Sequence, residues 1–238
     1  MTPASGLAIL LAGTLATAGC GGNSGTPRDA TALDASLELT YAGLYEAAGD
    51  CLRAATLNAL DPVAVNLRQA EAHMGLGGRD AAQRLLDDVP LEARDRPLYG
   101  VLRAWLMAFD GRALAARRQA TRILAEHPES VEARLLLARL ALQASATMDL
   151  DAATRLCAEV LQTVPGHRVA ARMLVKAELR RGRFAEAARQ GRIQSGAHPD
   201  DGHIWLLVGT AELWFGDPPA AIEALQRAAD LFDDDYIN

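Results

Sequence analysis

From residue 35 to residue 233 apolar side chains recur at three- and four-residue spacing, the period of helices with one buried face. Strict polar–apolar alternation of the strand type is scarce. Alanine, leucine and arginine outweigh Val-Ile-Thr runs, so the pattern predicts an all-α chain. The amphipathic stretches are short and are interrupted by glycine or proline at regular distances. Pro128, Pro165 and Pro199 each close such a stretch and stand 37 and then 34 residues apart. A 34-residue period marks stacked helix–turn–helix units. The longer interval has room for its extra residues at 144–148.

The last unit is the clearest. Gly209 and Ala221 sit on successive helical stretches separated by a turn at Gly216-Asp217. Two helices cross closely only where such residues present no bulk, and Trp205 and Leu225 are placed to fill the space beside them. Ala228 continues the same face. Five earlier units repeat the theme. One runs from 168 to 201 with Leu174, the turn Gly182-Arg183-Phe184 and Ala187, and another from 131 to 167 with Leu137-Ala138, Ala153 and Cys157. Residues 97–130 carry Ala104, the turn Gly111-Arg112 and Ala116; residues 63–90 carry Ala70, the turn Gly77-Gly78-Arg79 and Ala82. The first, from Ala35, has Tyr41-Ala42-x-x-Tyr45, a turn read at Gly49-Asp50, and Ala54. The first two units have second helices cut short at Pro62 and Pro90, and residues 91–96 read as a looser joint.

These spacings resemble the tetratricopeptide repeat. Trp205-Leu206-Leu207-Val208-Gly209 is similar to its Trp-x-x-Leu-Gly opening, and Ala221 with Leu225 to its Ala-x-x-x-Phe pair; Glu212 stands where that repeat has an aromatic. The resemblance implies a right-handed superhelical solenoid of about six helix pairs over residues 35–238. It also implies that the first helix of each pair lines a surface that binds partners. Carried over residue by residue, that surface offers Val101, Trp105 and Phe109 in the third unit and Leu135, Arg139 and Leu142 in the fourth. The fifth unit offers Arg172, Lys176, Leu179 and Arg180, and the last Leu206, Thr210, Leu213 and Trp214. Arg172, Lys176 and Arg180 share one face by their i, i+4, i+8 spacing. With Arg139 they form a basic stripe, flanked by Trp105 and Trp214, that would suit a peptide with an acidic or C-terminal carboxylate group, since an arginine fork can pair both oxygens.

The N-terminus changes the picture. No charged side chain occurs before Arg28. The apolar run Leu7-Ala8-Ile9-Leu10-Leu11-Ala12 is too short to span a bilayer but fits a secretory signal. It leads into Thr17-Ala18-Gly19-Cys20, which resembles the lipobox of bacterial lipoproteins; Leu is usual where Thr17 stands, and Lys or Arg near the start. That resemblance implies a signal peptide at 1–19, cleavage before a lipidated Cys20, and a membrane anchor. Gly21, rather than Asp, after the cysteine leans toward the outer membrane over the inner. Residues 20–34, rich in Gly, Asn, Ser and Thr, are expected to be a tether.

Composition and chemistry narrow the function. A formal charge of −6 argues against general nucleic-acid binding. There is no phosphate loop, no Gly-x-Ser-x-Gly elbow and no His-Glu-x-x-His, so neither catalysis, cofactor nor metal is expected. Of five histidines, His127, His167 and His198 lie beside the prolines that end units and read as polar turn residues. The stretch from His198 through Asp200 and Asp201 to His203 reads as a turn rather than a metal site, because Pro199 and Gly202 break the geometry. Cys51 and Cys157 fall in units too distant to be bridged and read as packing residues; Asp233-Asp234-Asp235 reads as a solvated end. With no capping helix expected after Phe232, the last unit would show apolar surface and invite self-association. The expectation is a lipid-anchored periplasmic scaffold for protein or peptide partners in an envelope assembly. The combination resembles lipoproteins of pilus assembly and of exopolysaccharide export with its PEP-CTERM sorting system. A soluble cytoplasmic adaptor and a cell-wall glycan enzyme are the alternatives; the latter needs paired carboxylates across one cleft.

Overall fold

A left-handed glycine closes the turn between helices of a pair, and it does so on a ruler. In the computed structural model Gly43, Gly77, Gly111, Gly182 and Gly216 all have φ between 70° and 98°. The first three follow one another at 34 residues, as do the last two. Only glycine enters this region without a Cβ clash, so the turn chemistry fixes the phase of the repeat. The structure describes residues 28–55, 61–143 and 149–237. Twelve α-helices occupy them, with a 3-10 turn at Leu91–Ala93 and no strand among the described residues.

The chain divides into two compact units after Arg112. The first contains α1 (Arg28–Tyr41), α2 (Tyr45–Ala55), α3 (Pro62–Gly75), α4 (Arg79–Asp87) and α5 (Pro97–Phe109). The second contains α6 (Ala113–Glu126), α7 (Val131–Gln143), α8 (Leu150–Thr163), α9 (Arg168–Arg180), α10 (Phe184–Ala197), α11 (Gly202–Phe215) and α12 (Pro218–Ile237). Within each unit a helix packs on its sequence neighbour and on the helix two places on: α1 and α5 on α3 in the first, α7 and α11 on α9 in the second.

The packing follows from one small residue per helix. Ala48, Ala82, Ala116, Ala153, Ala187 and Ala221 on the even-numbered helices are all within 1% of complete burial. Ser36, Ala70, Ala104 and Ala138 do the same on odd-numbered helices, the buried Val175 takes the place on α9, and Gly209 completes the series. A Cβ on Gly209 would stand 2.6 Å from Leu225 Cγ and 3.1 Å from the Ala221 carbonyl oxygen. Close crossing therefore depends on missing bulk, as expected for this pair, and Leu225 fills the space beside it. Larger aliphatic side chains then close the layers: Leu67, Met74, Leu86 and Leu102 in the first unit, Leu142, Leu156, Met173 and Leu174 in the second.

Helix starts are capped where the sequence supplies acceptors. Asp61 and Asp149 accept from Ala64 and Ala152 N–H at 3.0 and 2.9 Å, and Asp201 accepts from both His203 and Ile204 N–H. Each satisfies amides that a helix N-terminus otherwise leaves open.

Four sequence expectations need correction. The turn of the first unit is at Gly43, and Gly49-Asp50 lies inside α2; both sites look alike as sequence, but only Gly43 keeps the 34-residue phase with Gly77. The first helix begins at Arg28, so 28–34 are helical rather than tether. Residues 91–96 are an ordered 3-10 corner: Arg94 Nε donates to the Val89 carbonyl at 3.0 Å and its guanidinium lies over the Tyr99 ring. Finally, the last unit does not end near Phe232: α12 runs on to Ile237, and Phe232 is folded back on Gly202 and edge-on to His203 at 5.0 Å. The short second helix of the repeat at 63–90 is as expected, nine residues in α4 against fourteen in α6, α8 and α10.

Candidate partner-binding site

The face expected to bind partners is built from the odd-numbered helices, and each unit presents its own part. In the second unit α9 lies between α7 and α11. Its three cations are on one side as the spacing requires, but their surroundings differ. Arg172 Nε donates to Asp201 Oδ2 at 2.7 Å, and Asp201 is fully buried as the α11 cap. Arg180 donates to the Leu142 carbonyl, tying α9 to the end of α7. Lys176 is exposed between them and has no ion pair among the described residues. Arg139 is half-buried on α7, and Leu142 is a core residue at 6% exposure rather than a surface one.

On α11 the corresponding face is apolar and open. Leu206, Leu213, Trp214 and Phe215 are 42–66% exposed. Trp214 is held flat by stacking on Phe184 of α10, ring centroids 5.6 Å apart. Stacking fixes the indole while leaving most of it in water, a state that favours contact with a second apolar surface. Trp205, by contrast, is half-buried and donates its Nε1–H to the Pro199 carbonyl at 3.0 Å. In the first unit Trp105 is half-buried, stacked on Phe109 with centroids 6.5 Å apart and packed against the core. Val101 is 1% exposed and belongs to that core.

Sequence reasoning missed a polar cluster where α9 and α11 begin. His167 and His198 are 2% and 5% exposed, not turn residues in solvent. His167 caps α9, its Nδ1 accepting from Ala170 N–H at 3.4 Å. Burial lowers its pKa to about 4. Burial also lowers that of His198, with the Arg168 charge adding to the effect, and its Nε2 is buried without a hydrogen bond. Arg168 Nη2 donates to both oxygens of Asp200 at 3.0 and 2.9 Å. Burial raises the Asp200 pKa, but those bonds and the Arg168 charge outweigh it and hold the carboxyl below its usual range. The signal was the two-residue stretch Asp200-Asp201 before a helix, facing arginines one unit back.

Two more carboxylates are buried at equivalent places, Glu178 on α9 and Glu212 on α11, 3% and 1% exposed. Arg181 Nη1 lies 3.1 Å from Glu178 and Arg192 Nη1 2.8 Å from Glu212. Glu212 therefore replaces the aromatic of the repeat with an ion pair, and each carboxylate has an arginine of its own. Cys51 and Cys157 are free and buried in different units. No group of three metal-ligating side chains occurs among the described residues. No described helix is long and apolar enough to cross a membrane. Cys20 and the segment before it lie outside the described residues.

Paired antiparallel helices on a 34-residue ruler, with a small residue at each crossing and a left-handed glycine at the turn, define the tetratricopeptide-repeat-like fold. Solved structures agree. A structure of MamA AMB-1 is similar at 20% identity and a TM-score of 0.57, over 71% of this chain and 98% of that one. The MamA RS-1 ArsTM double mutant is similar at 14% identity and a TM-score of 0.58, over 74% and 97%. A tetratricopeptide repeat protein from Parabacteroides merdae ATCC 43184 is similar at 16% identity and 0.53, over 95% and 88%. No protein-family model and no curated protein matches the sequence. The likeness is therefore one of fold.

Proposed function

We propose that this chain is a partner-binding scaffold, and that the odd-helix face of its second unit holds an extended segment carrying both acidic and apolar groups. One observation carries the reading: Lys176, an exposed cation without an ion pair among the described residues, stands one helix away from the open apolar row of Leu206, Leu213 and Trp214. A peptide crossing from α9 to α11 meets positive charge and then apolar surface. Arg172 and Arg180 are engaged by Asp201 and Leu142, so they hold the face in shape and contribute field rather than forks. Arg139 on α7 lines the remainder of the second unit's face, and Trp105 belongs to the first unit's own odd-helix face.

The test is a screen of displayed peptides with random C-termini, followed by fluorescence anisotropy. Selected sequences should combine Asp or Glu with Leu, Phe or Trp. Lys176→Glu and Leu213→Glu should each weaken binding at least tenfold with the helical signal unchanged, about 1.4 kcal/mol or more. Selection of sequences without acidic groups, or indifference to both substitutions, counts against this face.

We further place the protein on the periplasmic side of a bacterial envelope, anchored through lipidated Cys20 and serving an assembly or export complex, with the PEP-CTERM and exopolysaccharide type favoured. Support comes from the signal-like run and the Thr17-Ala18-Gly19-Cys20 motif. Mass spectrometry of the N-terminus from native envelopes decides it. A diacylglyceryl group on Cys20 and globomycin-sensitive processing are expected, whereas an intact Met1 in the soluble fraction points to a cytoplasmic adaptor.

A further inference from the structure

A cavity of about 360 Å³ opens in the first unit between α2 and α4, with α3 as its floor. It belongs to the first unit, whereas the partner-binding face proposed above belongs to the second. Its size falls in the range of about 300–1,000 Å³ typical of small-ligand sites. Gly49 widens it on the α2 side. A glycine inside a helix costs stability relative to alanine, and the other close-packed glycines have a steric reason for it: a Cβ would lie 2.9 Å from Val208 at Gly191 and 2.6 Å from Leu225 at Gly209. At Gly49 a Cβ would meet only Arg53 Nη1, at an ordinary 3.5 Å. Packing does not require this glycine, and its missing side chain leaves room along the α2 wall of the cavity.

The lining has one chemical character at depth and another at the rim. Ala72 and Gly49 are buried, with the Tyr45 ring, Leu85, Gln69 and His73 half-buried around them. The rim carries exposed charges of both signs. Glu46 projects from α2, and Arg84 and Asp88 from α4, and none of the three has an ion pair among the described residues. Arg53 is already engaged by Asp50 of its own helix. A partly apolar interior beneath acids and a base without ion pairs is complementary to a molecule with a short apolar body and both charges.

We infer that this cleft binds a small zwitterion of the α-amino-acid class with an aliphatic side chain, its ammonium group against Glu46 and Asp88 and its carboxylate against Arg84. The side chain lies over Ala72 in the space beside Gly49.

L-Leucine is the probe, titrated into the intact protein by calorimetry and by amide chemical-shift perturbation. Saturable binding at or below millimolar concentration is expected, with shifts confined to α2, α3 and α4. Leucinol, which lacks the carboxylate, and 4-methylpentanoate, which lacks the amine, should each bind at least tenfold more weakly. Glu46→Gln and Arg84→Gln should do the same to leucine. Gly49→Met fills the cleft while improving helix propensity, so it should abolish binding and keep or raise the melting temperature; Gly49→Ala checks that the position tolerates a side chain. The inference is overturned if leucine does not saturate, if leucinol or 4-methylpentanoate binds equally well, or if Gly49→Met binds as the parent does. Lys176→Glu should leave leucine binding unchanged, which separates failure here from failure of the partner-binding face.

Discussion

At the scale of single residues, the missing side chain at Gly209 decides how closely α11 and α12 approach. Gly209→Ala drives a methyl into Leu225 and towards the Ala221 carbonyl, and overpacking of this kind costs about 1–3 kcal/mol. Chemical denaturation should show that loss, and an unchanged midpoint would mean the helices separate freely. His167 gives the second residue-scale prediction. Its folded pKa, about 4, is below the ordinary 6.5, so the unfolded chain binds more protons between those values. Stability from this site is then complete above pH 6.5 and is lost as pH falls toward 4. Two and a half units correspond to roughly 3 kcal/mol at most. His167→Asn keeps a capping acceptor and should flatten that part of the stability–pH curve. An equally steep fall in the variant would put the acid sensitivity elsewhere.

At the scale of helices, the boundary residues were readable and their long-range partners were not. Gly182-Arg183 was legible as a turn because glycine, at φ 70° here, alone enters that region at no cost. Gly182→Ala should lose about 1–2 kcal/mol in thermal or urea melts, with retained helicity; no loss would mean the turn has relaxed. The Gly49-Asp50 reading failed because a glycine before a polar residue looks the same in a turn and in a helix. Phase with Gly77 was the discriminating signal. The i, i+4, i+8 spacing puts Arg172, Lys176 and Arg180 on one side of α9. The basic stripe was incomplete as chemistry, because Arg172 meets an aspartate 29 positions further on, a pairing no local pattern contains. Asp201→Ala should therefore cost more than the ~1 kcal/mol of a lost cap, because it also strips a partner from Arg172. An effect no larger than Asp149→Ala, which removes a cap alone, would show that the ion pair adds nothing.

At the scale of the whole molecule, contacts are local, each helix touching near neighbours in the chain, and stability in such arrays is a sum of local terms. The two buried cysteines report on it. Burial pushes the Cys157 thiol up to about 12, so in a Cys20→Ser background the native protein should react slowly with thiol reagents at pH 8. Adding Gly209→Ala should speed labelling of Cys157, in the second unit, more than that of Cys51, in the first. Equal acceleration of both would show one cooperative block.

The sequence by itself determined the all-helical class, the 34-residue period and the small residues at the crossings, because these rest on spacing within a few helical turns and on what glycine and alanine lack. Tertiary structure alone decided which charges remain available. Folding buries His167, His198, Glu178 and Glu212, engages Arg172 and Arg180, and leaves Lys176 open between them. Burial and ion pairing are set by side chains some thirty residues apart brought to one place, and a sequence pattern records only which residues could arrive there.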